Sequence, residues 1–243
     1  MRILLNLKPH ETYTQNFNYH YKAQGFVYQL LMNTKFAKLH DKPGYKFFCF
    51  SNIFQSKSSH DKSWKFIISS PNEKFIKQVA FSLQKVQEIN VPVQLGQFFE
   101  LESFETLNSL STDNLITGTP ITVRINKERF EKVTNTKSQF DEVYWRREHP
   151  LELFIDSVEE NLKQKYKEFT KSEINSRIIE NFEFKKQVST KVRMGRIGLI
   201  PVIGTMWKFK LSPKLTEEQR IFCIESGFGE RNSMGFGFMN SGG

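Results

Sequence analysis

Gly227-Phe228-Gly229-Glu230-Arg231-Asn232-Ser233-Met234-Gly235-Phe236-Gly237 is the stretch around which the rest of the chain is ordered. Two Gly-apolar-Gly units bracket five residues that include one Arg and two short hydrogen-bonding side chains. Glycine has no Cβ, so it enters the φ > 0 region and lets the backbone pass close to a neighbour or a ligand. A loop built this way can turn its N–H groups toward a negatively charged group. A dinucleotide-binding fingerprint would need Gly in place of Asn232 and a helix after the loop. Here a helical pattern precedes the loop and a short apolar run, Phe236 to Met239, follows it. That excludes the dinucleotide reading and leaves two others, an anion-binding loop or a glycine-rich hairpin without a ligand.

The bulk of the chain favours a polyanionic partner. Its 243 residues carry a formal net charge of +9, with a sequence pI near 9.4, and basic balance of this kind suits nucleic acid. Twenty-four Phe and 38% hydrophobic residues supply core for one large domain or two small ones. The two cysteines, Cys49 and Cys223, sit among apolar residues and read as buried thiols of a reducing compartment. No apolar run approaches the length of a membrane span, and the start of the chain is too soon polar for a signal peptide. The expectation is a cytoplasmic protein with no membrane partner.

Reading outward from the loop, Thr216-Glu217-Glu218-Gln219 is a capping box that opens the preceding helix. Before it, Ile178 to Met194 and Leu199 to Leu211 form a long hairpin turning at Gly195 to Gly198. Pro150 opens a helix with Leu151, Phe154, Ile155, Val158 and Leu162 on one side. Leu115 to Asn126 reads as one strand, followed by a polar insertion from Lys127 to Trp145.

The first half has the same order. A strand over residues 2–8 alternates Ile3, Leu5 and Leu7 with polar partners, and a helix over 18–33 carries Ala23, Phe26, Val27, Leu30 and Leu31. After the Asp41-Lys42-Pro43-Gly44 turn, Tyr45 to Phe54 and Trp64 to Ser69 read as strands. Ser70-Pro71-Asn72-Glu73 gives a cap at Ser70, with Pro at the first helical position. The helix beyond it buries Phe75, Ile76, Val79, Ala80, Leu83 and Val86, and a strand region spans Val91 to Phe104. Each half is β-α-β-β-α-β. The expectation is an α+β fold of two tandem ferredoxin-like (RRM-like) domains. Residues 1–108 form the first and 115–240 the second, with the glycine-rich loop and a basic hairpin in the second.

The C-terminal Gly-apolar-Gly, five residues, Gly-apolar-Gly pattern resembles that of the repeat-associated mystery protein superfamily. Within it, the chain looks most like the CRISPR-associated endoribonucleases that cut precursor CRISPR RNA in its repeats. The resemblance implies the same tandem ferredoxin-like architecture, with RNA bound along the cleft and surface that the domains share. It implies CRISPR repeat RNA as partner, with other CRISPR-associated effector subunits and a second copy of the chain as further candidates. The catalytic His of the family lies between the first helix and the second strand, with a Lys shortly downstream. Here His40 and Lys46 match, and Tyr28 is the nearest first-helix tyrosine.

The chemistry fits those residue types. RNA cleavage without a metal needs a base for the ribose 2′-OH, an acid for the 5′-oxygen and a cation for the phosphorane. His supplies either proton function, and Lys stabilises the added charge. His10, His20 and His60 are substitutes, while His149 beside Pro150 reads as a helix-start residue. No His pair has the i, i+4 spacing of a zinc helix and no Gly-x-Ser-x-Gly elbow is present, so no metal or cofactor is expected. For RNA binding the chain offers Gly227, Gly229, Arg231, Asn232, Ser233, Gly235 and Gly237 in the loop. Lys185, Lys186, Lys191, Arg193 and Arg196 on the hairpin add to them, with Arg146-Arg147 as a further basic pair. The alternative within the superfamily is a non-catalytic scaffold for guide RNA. A tandem RNA-recognition-motif protein would want an aromatic run on a central strand, and Gly235-Phe236-Gly237-Phe238 echoes one only at the C-terminal strand.

Overall fold

Alternation along β1 (Arg2–Pro9) sends Ile3, Leu5 and Leu7 to one side, where all three are fully buried. The computed structural model describes residues 1–11, 19–56, 63–194 and 198–242. Against β1 pack α1 (Tyr19–Leu30), buried through Ala23, Phe26, Val27 and Leu30, and α2 (Glu73–Glu88), buried through Phe75, Ile76, Val79 and Leu83. The remaining strands of this half are β2 (Cys49–Phe50), β3 (Phe54–Gln55), β4 (Trp64–Ser69), β5 (Val93–Gln94) and β6 (Phe98–Leu107). Their spatial order is β2-β4-β1-β6-β5, with β3 also on β4 and every pairing antiparallel.

The second half builds the same figure. Its elements are β7 (Asn114–Thr117), β8 (Arg124–Asn126), α3 (Lys127–Thr134), β9 (Glu142–Tyr144), α4 (Leu151–Thr170), β10 (Ile179–Met194), β11 (Gly198–Leu211), α5 (Glu217–Ser226) and β12 (Met239–Ser241). The main sheet runs β10-β11-β7-β12. Counting each half's principal strands from one, both sheets read second, third, first, fourth, so the chain is two ferredoxin-like units in tandem. A second core, with Phe154, Val158, Leu162, Trp207, Leu211 and Phe222, lies between α4, α5 and this sheet.

The departures from the sequence reading have local causes. Leu115 to Asn126 is not one strand: β7 stops at Thr117, and β8 pairs only with β9 in a separate ribbon. Pro120 between them has no N–H to give a ladder, and Gly118 lies against Phe238 where no side chain fits. The polar insertion is ordered as α3 and β9, capped by Asn126, whose side chain accepts from Arg129 N. Tyr45 to Phe54 yields only two short strands, because Phe47 turns to φ 53°. The region from Val91 is a hairpin of β5 and β6 about Gly96 rather than one strand. The cap of α2 is Asn72, not Ser70, whose Oγ instead accepts from Asn72 N and donates to Phe47 O. The final strand begins at Met239, and Phe236 and Phe238 before it are fully buried plugs.

The halves are tied together where it matters for the site. Arg2 donates to Met239 O at 2.7 Å and lies 4.7 Å from the centroid of the Phe238 ring. Phe47 leaves the first half to meet Phe169 and Phe222 of the second. The backbone from Lys46 to Cys49 therefore runs along the second unit.

Candidate functional site

The capping box on Thr216 fixes the start of α5: its hydroxyl accepts from Gln219 N, and Gln219 answers by accepting from Thr216 N. The helix ends in Gly227, and the glycine-rich loop folds back on it. A β-carbon at Gly235 would strike the Phe50 ring, and one at Gly237 would strike Phe228 O. These glycines allow close packing rather than opening a cradle. The N–H groups of Gly235 and Gly237 donate to Asn232 O and Pro120 O, and those of Phe228 and Glu230 donate to Gly237 O and Thr122 O. Asn232 also works inward, its Nδ2 donating to Phe228 O and Phe236 O, each at 3.0 Å.

A residue that the sequence reading passed over holds this loop. Lys165 of α4 is buried and donates to Gly227 O at 2.9 Å, Gly229 O at 2.8 Å and Asn232 Oδ1 at 2.6 Å. Three oxygen acceptors use all three ammonium protons, while burial pushes its pKa down to about 7. The signal was available: Leu162, Lys165 and Phe169 are spaced as one helical face, so a lysine stands in an apolar stripe. Arg124 holds the far side of the loop, its N and Nε donating to the Glu230 carboxylate at 2.9 and 2.6 Å.

Tyr28, His40 and Lys46 come together beside the loop. His40 follows a 3₁₀ turn at Ala37–Leu39 and is exposed, its ring edge-on to Tyr28 at 4.9 Å between centroids. Its Nδ1 contacts Asp41 Oδ1 at 2.8 Å. A carboxylate in that place takes an N–H from Nδ1 and leaves Nε2 for chemistry. Tyr28 lies beside Ser233 of the glycine loop and Gln24, and burial raises its pKa. Lys46 donates to Leu39 O at 2.6 Å and to Lys42 O, so it spans the backbone on both sides of His40. Burial lowers its pKa, which Asp41 partly offsets.

Next to this cluster, a cleft of about 240 Å³ separates the 44–48 segment from α4 and the loop. Lys46, Lys165, Arg231 and Ser233 line it. Arg231, at φ 57°, reaches Tyr144 Oη at 3.3 Å.

The other expected residues are spread more widely. His20 is buried, its Nδ1 2.9 Å from Met234 O and its ring stacked between Tyr19 and Phe236. Burial pushes its pKa down to about 4, so it is a neutral packing residue that donates from Nδ1. His10 lies at the end of β1, away from the cluster, and His149 precedes α4 as expected. His60 and Arg196 lie outside the described residues. On the hairpin, Lys186, Lys191 and Arg193 are exposed, while Lys185 pairs with Glu183 at 2.5 Å. Val192 and Val202 on the opposite face pack against Phe236 beneath the loop. Cys49 and Cys223 are free and buried, with their thiol pKa values pushed up to about 12. Among the described residues no three His, Cys, Asp or Glu side chains converge as a metal site, and no helix is long and apolar enough to cross a membrane.

Residues 104–241 match the family model described as CRISPR associated protein Cas6, C-terminal. The chain is 32% identical over 255 residues to CRISPR-associated endoribonuclease Cas6 2 of Methanocaldococcus jannaschii, covering 99% of each chain. It is 26% identical to CRISPR-associated endoribonuclease Cas6 of Haloferax mediterranei, over 99% of this chain and 93% of that one. Among solved structures, one described as an RAMP protein binding different RNA substrates superposes with a TM-score of 0.74 at 22% identity, covering 99% of both chains.

Proposed function

This chain belongs to the Cas6 family of CRISPR-associated proteins, and on that premise we propose that it is an endoribonuclease that cuts precursor CRISPR RNA within each repeat. The observation that carries the reading is the position of Tyr28, whose ring meets His40 and whose helix packs against the Asn232–Met234 turn of the glycine loop. Through it, the histidine loop of the first unit and the glycine loop of the second form one site. Residues 1–108 then make the domain that holds the catalytic loop, and 115–240 the domain that holds the glycine loop and basic hairpin.

The reaction needs no metal ion or cofactor. The ribose 2′-oxygen attacks the adjacent phosphorus and gives up its proton, the P–O5′ bond breaks, and the departing 5′-oxygen takes a proton. The products are a 2′,3′-cyclic phosphate and a 5′-OH. His40, with Nδ1 held by Asp41, serves as acid or base through Nε2. Lys46 fixes the histidine loop through two carbonyls and has a third N–H for the phosphorane. Tyr28 orients the substrate. Arg231, Ser233, Lys186, Lys191 and Arg193 take phosphates, with the glycines and Asn232 shaping the surface from beneath.

The test is a repeat RNA carrying one 2′-deoxy sugar just 5′ of the scissile phosphate. It binds as the parent RNA does and stays uncut in excess EDTA, whereas all-ribose RNA is cut under the same conditions. Cleavage of the deoxy substrate, or loss of all cutting in EDTA, removes this mechanism.

A further inference from the structure

The excursion between β7 and α4 carries a cavity that the catalytic reading does not use. It has a volume of about 580 Å³, and Phe130, Phe140, Tyr144, His149, Pro201 and Ile203 line it. Phe140 is 71% exposed, so its ring face is open to a stacking partner. Its loop is nonetheless pinned. Phe140 N donates to Ser138 Oγ, Ser138 Oγ donates back to Phe140 O, and Ser138 N donates to Glu131 Oε1. The ring is thus presented by a built turn.

Cations and carboxylates both border the cavity, and most of the carboxylates are engaged. Lys137 and Arg146 stand on its rim. Of the nearby carboxylates, Glu142 is engaged by Arg124 and Glu148 lies 3.9 Å from Arg146. Register extends the basic surface along the hairpin. Lys191 pairs with Pro201 and Arg193 with Leu199, so both cations share the face on which Pro201 and Ile203 floor the cavity. At the other end, Tyr144 Oη receives the Arg231 bond, which joins the cavity to the glycine loop. His149 accepts from Arg146 N through Nδ1, so its ring proton is on Nε2, free to donate to a base edge.

We infer that this cavity takes an unpaired nucleobase of the bound RNA, stacked on Phe140, while Lys191 and Arg193 hold the flanking phosphates. Exposed aromatics beside a cationic track are what single-stranded nucleic acid requires. The inference rests on the RNA-processing reading and adds a subsite outside the catalytic cluster.

The full-length protein and repeat RNA with 2-aminopurine placed at one position at a time test it. Phe140→Ala is suitable because the ring is exposed and the fold does not depend on it. The expected result is roughly 5- to 100-fold weaker binding, the loss that removal of one stacking partner brings. Cleavage at saturating RNA stays unchanged, and Phe140→Trp restores affinity. One 2-aminopurine position is quenched by the parent protein and not by Phe140→Ala. If Phe140→Ala binds as the parent does and no position differs, the subsite is wrong and the endoribonuclease reading stands. If the parent binds no repeat RNA, both fall.

Discussion

Lys46 reaches the carbonyls of Leu39 and Lys42, and His40 lies between them. Its first effect on the histidine is therefore positional, and its charge comes second. His40 itself is exposed and hydrogen-bonded only to its neighbour Asp41 among the contacts described above, so its removal should leave the fold intact. His40→Ala should slow cleavage by roughly 10²–10⁴, the usual worth of a positioned acid or base. RNA affinity should change by less than about 1 kcal/mol, since the imidazole acts on the transition state. Single-turnover rates beside filter-binding measurements check both, and a variant as fast as the parent removes His40 from the mechanism. His20 gives a different prediction, one of stability. Its pKa is about 4 in the folded chain, against an ordinary 6.5. Between those values the unfolded chain binds the extra proton, so stability falls as pH drops from 6.5 toward 4. The loss approaches roughly 3 kcal/mol for a shift of this size. His20→Asn, which keeps a donor for Met234 O, should show a flatter melting temperature over that window. An equal slope in both proteins would mean that His20 is not the group responsible.

At the scale of elements, the glycine loop owes its shape to a helix that is remote in sequence. Lys165 binds two loop carbonyls and the Asn232 amide oxygen, and Asn232 in turn binds two more carbonyls. Lys165→Met keeps the apolar stem but leaves three buried oxygens without their donor, at about 1–3 kcal/mol each. The melting temperature should fall by several degrees or more, and RNA affinity should drop with it. Lys165→Arg should recover part of each. A Met variant that melts and binds as the parent does would show that the loop holds itself. The loop was legible in sequence because its glycine spacing is local, as were the Thr216 box and the alternation in β1. Its anchor was less so, because a lone lysine at position 165 becomes meaningful only when Leu162 and Phe169 are seen to share its face. The split of Leu115 to Asn126 was hidden for a similar reason. Apolar alternation continues through Ile121, Val123 and Ile125, and only the missing N–H of Pro120 and the partner β9 end the ladder. Tyr28, His40 and Lys46 could be named only because their order along the chain matches the pattern of the family that it resembles. The approach of Tyr28 to Ser233 depends on two domains packing, which no local pattern contains.

Across the whole molecule, the +9 charge is not spread evenly over what RNA would touch. Many cations are spent internally: Arg124 on Glu230 and Glu142, Arg129 on Asp156 and Glu160, Arg220 on Asp113, and Lys165 on the loop. On the proposed RNA path stand exposed Lys186, Lys191 and Arg193 of the hairpin, with half-buried Arg231 and Lys46 at the cleft. A path of that kind neutralises about four to six phosphates. On single-stranded RNA each contributes about 0.7 to the salt exponent, so log affinity should fall against log salt with a slope near −3 to −4. Replacing Lys191 and Arg193 together by Gln should make the slope shallower by about 1.4 and weaken binding at low salt. His40→Ala should leave the slope as it is, which separates the binding surface from the reacting group in one titration series. Melting temperatures should hold, because both hairpin side chains stand in solvent on the face opposite Val192 and Val202. A slope near zero in the parent, or one unchanged in the double variant, would place the RNA elsewhere than along the hairpin. It would also detach the Phe140 cavity from the path, because Lys191 and Arg193 are what join that cavity to the bound strand.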